Sequence, residues 1–355
     1  MRVVLTGAAG FIGSTIARQL ADLGAEVVGI DLMLAQAHGA AEPPDGVHQL
    51  DVVDAHAWRS LLEGADVVCH QAAMVGAGVR VGDLPDYARH NDLGTAALVA
   101  AAAGVGVSRV VLASSMVVYG EGRYVCEEHG AQRPAPRSVA ELESGRFENP
   151  CPVCARPLAW ALVDEDAPLD PRSGYAASKL AQEHYVAAWA RQAGSSAIAL
   201  RYHNVYGPGM PRDTPYSGVA AMFRSSLERG EPPRVFEDGG QARDFVHVDD
   251  VARANVAAIE ALLVRPSAGT SRAYNVCSGA PITIGEVADL VAQGVTSEHG
   301  GDEPALRPQV TGEYRLGDVR HVVASPARAA EELGFRARVS PSTGLRAVAT
   351  APLRA

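Results

Sequence analysis

Residues 2–13 read Arg-Val-Val-Leu-Thr-Gly-Ala-Ala-Gly-Phe-Ile-Gly, a short apolar run that breaks into glycines and leads into the helical spacing Ile12, Ile16, Ala17, Leu20. A strand, a glycine turn and a helix in that order let a pyrophosphate approach the backbone at the helix N-terminus, where free N–H groups and the helix dipole favour an anion. Gly7, Gly10 and Gly13 are spaced G-x-x-G-x-x-G, which departs from the G-x-G-x-x-G dinucleotide pattern and also fits a structural turn. The next strand-like run, Glu26 to Ile30, ends in Asp31. A carboxylate there can accept both hydroxyls of an adenosine ribose and repels a 2′-phosphate, so the pair of features points to NAD rather than NADP.

Further strand-like runs at 66–70, 109–113 and 197–202 alternate with helical stretches. With 2–6 and 26–30 they give the βαβ rhythm of a Rossmann-type doubly wound parallel sheet, with ligands at the C-terminal strand edge. The expected organisation is α/β: a NAD-binding domain over 1–202, and a smaller, mainly substrate-binding lobe over 203–355, where the pattern becomes irregular and rich in Pro and Gly. The stretch 244–262 is expected to return to the Rossmann layer. Thr283 with Glu286 reads as a capping box, and Ser325-Pro326 as a cap followed by an N1 proline.

Residues 175–179 read Tyr-Ala-Ala-Ser-Lys. At i and i+4 on a helix, Tyr175 and Lys179 share a face. An ammonium held beside a phenol favours the phenolate, which makes Tyr175 a candidate general base.

Together these motifs resemble the extended short-chain dehydrogenase/reductase family, and within it the nucleotide-sugar epimerases and dehydratases. The resemblance runs through TGAAGFIG (6–13), Asp31, LDV (50–52), HQAA (70–73), SSMVVYG (114–120), YAASK (175–179), RYHNVYGPG (201–209), RDFVHVDD (243–250) and RLGD (315–318). It implies that Phe11 and Ile12 join the glycines around tightly bound NAD, with Asp51 and Val52 at the adenine edge, Ala72 and Ala73 beneath the cofactor, and Tyr175, Lys179 and Tyr202 also in contact. Ser115, Tyr175 and Lys179 are the implied catalytic residues, with Ser115 bonding the reacting sugar hydroxyl. Asn204, Arg243 and Arg315 are expected at the nucleotide diphosphate, Asp318 near the nucleotide ribose and Phe236 in the same substrate site. Val322 lies near the position that gates sugar bulk in UDP-galactose enzymes.

Composition sets limits. The chain has 355 residues, 47% apolar side chains and a formal charge of −10, enough for a full core and unsuited to nucleic acid or an anionic membrane as partner. An anionic sugar nucleotide must then be met by local cations. The longest nearly unbroken apolar stretch, Leu93 to Val107, is too short to span a bilayer, and the N-terminus enters a strand at once, so a cytoplasmic location is expected.

The segment 121–165 has no counterpart in the generic pattern. It carries Cys126 and His129 as C-x-x-H, then Cys151 and Cys154 as C-x-x-C. Two such pairs can each grip one side of a tetrahedral zinc, which would hold a segment of low apolar content in a fixed shape. Free or redox-active thiols are the competing reading. Cys69 and Cys277, in apolar runs, read as core.

The expected reaction is 4-epimerisation through a transient 4-keto sugar. A 4,6-dehydratase starts identically, but in the resembling dehydratases an Asp-Glu pair follows the active-site Ser/Thr, where this chain has Met116 and Val117. Asp31 argues against an NADP-releasing 4-ketoreductase, and the intact Ser115, Tyr175 and Lys179 argue against an NAD-responsive scaffold. HQAAMVG, SSMVVYGEG and the Cys-x-x-Cys insertion look most like enzymes of dTDP-6-deoxysugars such as dTDP-L-rhamnose, with UDP-hexose and UDP-uronate epimerases as rivals. A homodimer is expected through helices at 91–105 and 180–192.

Overall fold

Strand β1 (Arg2–Thr6) is buried on both faces from Val3 to Thr6, as a central strand of a parallel sheet must be. The structure, a computed structural model, describes residues 1–76, 78, 80–212, 218–298 and 306–354, and the side chains of all of these but 296–298. Beside β1 lie β2 (Glu26–Asp31) and β3 (Val47–Gln49) on one side, and β4 (Val67–His70) and β5 (Arg109–Ser115) on the other. The strands Ser196–Tyr202 and Thr270–Val276 follow outward from β5, completing a seven-stranded sheet whose pairings are all parallel. Strand order reverses between β1 and β4, and that opens the ligand crevice at their carboxyl ends.

Helix α1 (Phe11–Asp22) and the helix Val248–Val264 cover one face through Ile16, Leu20, Val251 and Ile259. Helices Gly94–Gly104 and Gly174–Ala193 cover the other through Leu98, Val186 and Trp189. The third apolar cluster, with Phe223, Phe245, Val291 and Leu345, is a lobe built by helices Val219–Glu228, Ile284–Glu298 and Pro341–Val348.

Two of the seven strands differ from the sequence expectation. Val47–Gln49 is short and mostly exposed, and Thr270–Val276 is an edge strand buried only at its end, so neither carries a clear apolar pattern. After residue 203 the chain thus contributes to the seven-stranded sheet both the strand Thr270–Val276 and the helix Val248–Val264 packed on it. The Thr283–Glu286 box is present, with Glu286 N–H donating to Thr283 Oγ1 at 3.2 Å. Pro326 is itself the N-cap of Ala327–Glu332 rather than its first helical residue, and Ala327 N–H reaches Ser325 Oγ at 3.3 Å.

The 121–165 segment folds as its own small unit. Strand Arg123–Cys126 pairs antiparallel with Gly130–Gln132 on one edge and Ala159–Ala161 on the other, around Tyr124, Cys126, Cys151 and Leu158.

Candidate active site

The glycine turn makes a cradle that side chains would fill. A Cβ on Gly7, whose φ is +70°, would lie 2.7 Å from Ala72 N, and one on Gly13 would lie 2.0 Å from Gly7 O. Gly10 is the N-cap of α1 and no side chain caps that end, which leaves it suited to an anion. Asp31, 8% exposed, accepts from Ala9 N–H at 3.0 Å and Met33 N–H at 2.9 Å. These bonds fix the carboxylate at the tip of β2 while lone pairs remain for ribose hydroxyls. His38 stands 3.4 Å from Asp31, and Arg354 donates to Ala9 O at 2.5 Å; neither was singled out from sequence, because both come from segments without a motif.

A cavity of about 590 Å³ runs along this edge. Every residue expected around NAD lines it: Gly7, Gly10, Phe11, Ile12, Gly13, Asp31, Asp51, Val52, Ala72, Ala73, Tyr175, Lys179 and Tyr202, with Ser115 at the same wall. A second cavity of about 390 Å³ is lined by five of the six expected substrate residues, Asn204, Phe236, Arg243, Arg315 and Asp318, while the sixth, Ser115, lines only the first; Asn204 and Arg315 line both. Val322, 1% exposed, is packed in the interior by its bridge to Arg243 and lies outside both linings, so the gating role implied for it has no support in this geometry.

Ser115 ends β5, and Tyr175 opens the helix Gly174–Ala193, whose N-terminus Ser173 caps by accepting from Ala176 N–H. Lys179 reaches into the same floor, but its ammonium donates to Ala113 O at 2.9 Å and stands 6.0 Å from the Tyr175 ring centre. The ammonium is thus anchored to the backbone of β5, on the same side of the helix as the Tyr175 ring. Burial pushes the Tyr175 phenol up from its ordinary value, opposed by a hydrogen bond with Ser115, and lowers Lys179 to about 7.

Beneath this floor lie polar groups that sequence alone did not mark. Asn91, wholly buried, donates to Met74 O and Ser178 Oγ and so ties the YAASK helix to the chain after β4. Arg201 pairs with Glu183 at 2.8 Å and bonds Tyr119 Oη at 2.9 Å, tying the strand Ser196–Tyr202 to the YAASK helix and to the turn after Ser115. These partners are far apart in sequence, and only the fold brings them together. Met116 and Val117 do follow Ser115 directly, and neither can move a proton.

At the second cavity, Arg243 donates to the carbonyls of Ala242, Val319 and Arg320, keeping part of its five-donor fork for a ligand. Arg315 lies over the Phe236 ring at 5.1 Å. Asn204 Oδ1 and both ring nitrogens of His203 are buried without a partner among the described residues. Orphaned polar atoms of this kind call for a ligand or water. Glycine cradle, uncapped helix, fixed Asp31 and orphaned Asn204 all fit a dinucleotide beside a polar second ligand.

A model described as the NAD dependent epimerase/dehydratase family matches residues 3–139 and 159–277. The chain belongs to this family. The unmatched stretch between those segments lies inside the Cys/His insertion and holds Cys151 and Cys154. A dTDP-L-rhamnose 4-epimerase of Burkholderia thailandensis is 33% identical over 97% of this chain and 93% of its own. A UDP-glucose 4-epimerase of Mycolicibacterium smegmatis is 33% identical over 97% and 96%. Among solved structures, the UDP-glucose 4-epimerase of Thermus thermophilus in complex with NAD superposes with a TM-score of 0.73 at 30% identity, covering 98% of each chain.

In the insertion, Cys126 Sγ is 3.4 Å from His129 Nδ1 and 3.8 Å from Cys154 Sγ, and Cys151 Sγ is 3.8 Å from His129 Nδ1. All four ligand atoms lie within 4.8 Å of one another, and the cysteines are free thiols. Two sulfurs bound tetrahedrally at the usual zinc–sulfur length of about 2.3 Å stand about 3.8 Å apart, so the cluster has a zinc site's dimensions. No helix of the described residues is long and apolar enough to cross a membrane.

Proposed function

We propose that this chain is an NAD-dependent nucleotide-sugar 4-epimerase, acting on a dTDP-6-deoxyhexose or a UDP-hexose through a transient 4-keto sugar. The observation that supports this reading is that the two cavities share Asn204 and Arg315 while Ser115, Tyr175 and Lys179 line the first, where the sugar of a nucleotide held by Asn204 and Arg315 would meet the cofactor. Bound NAD would supply the hydride acceptor at C4 and return the hydride to the opposite face. Tyr175 takes the C4 hydroxyl proton and later gives it back. Ser115 holds that hydroxyl against the phenol, and Lys179 contributes positive charge to the floor, favouring the phenolate when Tyr175 ionises. Arg243 and Arg315 meet the diphosphate with charge-assisted bonds, and Asp318 and Phe236 hold the nucleoside.

The family description covers dehydratases too, so the choice rests on the residues after Ser115. With Met116 and Val117 there, the keto intermediate meets no acid/base pair for eliminating water across C5 and C6. Incubating the pure protein with dTDP- and UDP-sugars and resolving C4 epimers by NMR tests this. A C4 epimer supports it, whereas accumulation of a 4-keto-6-deoxy product refutes it.

The cluster Cys126, His129, Cys151 and Cys154 is proposed as a structural zinc site, four protein ligands leaving no open position for catalysis. A homodimer is proposed through the paired helices Gly94–Gly104 and Gly174–Ala193, near whose outer side Leu93 and Tyr185 are exposed, and a cytoplasmic location accords with the reduced thiols such a zinc site requires.

A further inference from the structure

The insertion is joined to the substrate lobe largely by buried charge. Arg320, 1% exposed, donates to Glu237 and Asp238 of the lobe at 2.8 Å each, and to Glu148 of the insertion at 2.9 Å through Nε. Arg137, from the insertion, bonds Glu237 at 2.9 Å and the carbonyl of Asp318 at 2.7 Å. Residues from the start, middle and end of the insertion grip one strip of chain. Glu121 accepts Arg320 N–H, Tyr124 Oη accepts His321 N–H at 3.0 Å, Glu148 meets His321 Nε2 at 2.9 Å, and Val163 exchanges backbone bonds with Val323 and Ser325.

The opposite edge of that strip carries the second cavity. The Arg243 guanidinium donates to Val319 O at 2.6 Å and Arg320 O at 2.8 Å, and Asp318 lines the cavity itself. Arg243 and Asp318 therefore take their positions from a strip whose other side is held by the insertion. Glu148 and Asn149 directly precede the Cys151 turn, and Asn149 Nδ2 bonds Glu121 at 3.2 Å, so the metal-ligand cluster and the grip on the strip are one piece.

We propose that the insertion is a brace that positions Arg243 and Asp318, and that it sets the affinity of the cavity for the nucleoside diphosphate part of the substrate. This rests on the reading of that cavity as the sugar-nucleotide site. A purely structural contact would change melting and leave ligand affinity alone, whereas a brace changes affinity for the diphosphate end while the chemistry at Ser115 and Tyr175 proceeds.

The test is calorimetric titration of dTDP and UDP into the NAD-bearing protein and its Glu148→Gln and Tyr124→Phe variants, alongside KM and kcat for the active sugar nucleotide. Glu148→Gln leaves Arg320 paired with Glu237 and Asp238, so no buried charge is stranded. Tyr124→Phe removes the acceptor of His321 N–H and a contact with Asn149 of the insertion, while keeping the ring. The expected result for Glu148→Gln is nucleoside diphosphate affinity and KM weakened by about tenfold, the scale of one charged hydrogen bond, with kcat and bound NAD near the parent values. Glu148→Asp should recover part of the loss, and Tyr124→Phe should shift affinity in the same direction by less. Unchanged affinity in both Glu148→Gln and Tyr124→Phe overturns the brace, as does parallel loss of NAD and nucleotide, which would mean general loosening. A parent protein that binds neither dTDP nor UDP refutes the reading of the cavity instead.

Discussion

Tyr175 and Lys179 show how far a single pair of residues can be read. The i,i+4 spacing puts both at the wall of the first cavity, the Lys179 ammonium is anchored on Ala113 O, and burial raises the phenol and lowers the amine. Changing Tyr175→Phe should leave NAD and sugar-nucleotide binding intact and lower turnover by about a hundredfold or more, as expected for losing a positioned acid/base. Steady-state kinetics with parallel binding measurements check it, and near-normal turnover would reject the proton-transfer role. Asp31 carries a second prediction: protein as purified should release NAD(H), not NADP(H), on acid extraction and chromatography. His203 carries a third. Burial lowers its imidazole from 6.5 to about 3, with Arg243 adding to the shift. The unfolded chain thus binds a proton that the folded chain refuses between these values, and the stability contributed by neutral His203 is lost as pH falls through that window, by up to about 1.4 kcal/mol per pH unit. Burial raises Asp92 and Asp244 to about 6, which works the other way below that pH, so the comparison must be between variants. In thermal melts of His203→Phe against the parent, the difference should move in the variant's favour as pH falls from 6.5; a pH-independent difference would remove His203 from the account.

The insertion is where an element departs from the family model, since residues 140–158 lie outside the match. If its four ligand atoms hold zinc, elemental analysis of protein purified without chelator should find about one metal per chain. Cys151→Ser should then lower the melting temperature, because a ligand bound only by the folded state is lost. Absence of zinc together with unchanged melting would leave ordinary loop thiols. The Cys/His cluster could be read in the sequence because each pair sits three residues apart, as could the glycine turn, Asp31 and the YAASK helix, all of them local patterns. The buried pairs Arg137–Glu237 and Arg320–Glu237 could not, for they join residues 100 and 83 positions apart and nothing local marks an arginine as destined for the interior. The strands Val47–Gln49 and Thr270–Val276 escaped for a related reason: edge position relaxes the demand for apolar residues, and that demand is what makes a strand visible.

At the scale of the whole molecule, the order reversal between β1 and β4 opens the cofactor cavity, and the lobe built after the strand Ser196–Tyr202 places the second cavity against it. Among the described residues, two long helices cover the side of the sheet away from α1, Gly94–Gly104 and Gly174–Ala193, and they pack on each other. Their outer side is rich in alanine, and Leu93 is 52% and Tyr185 45% exposed there. Small side chains let helices of a second copy approach closely, and a two-fold axis through this pair would bury Leu93 and Tyr185 in a four-helix contact. The same helix carries Tyr175 and Lys179 at its other end, so the contact would also steady the catalytic floor. Sedimentation of the parent protein should therefore give a dimer, and Tyr185→Asp, which puts a charge into an apolar contact, should shift it toward the single chain. Because Tyr185 is exposed in one chain, the variant has no folding reason to fail, and its bound NAD should persist. A parent protein that sediments as a single chain, or a Tyr185→Asp variant that remains dimeric with unchanged affinity, would place the interface elsewhere or abolish it.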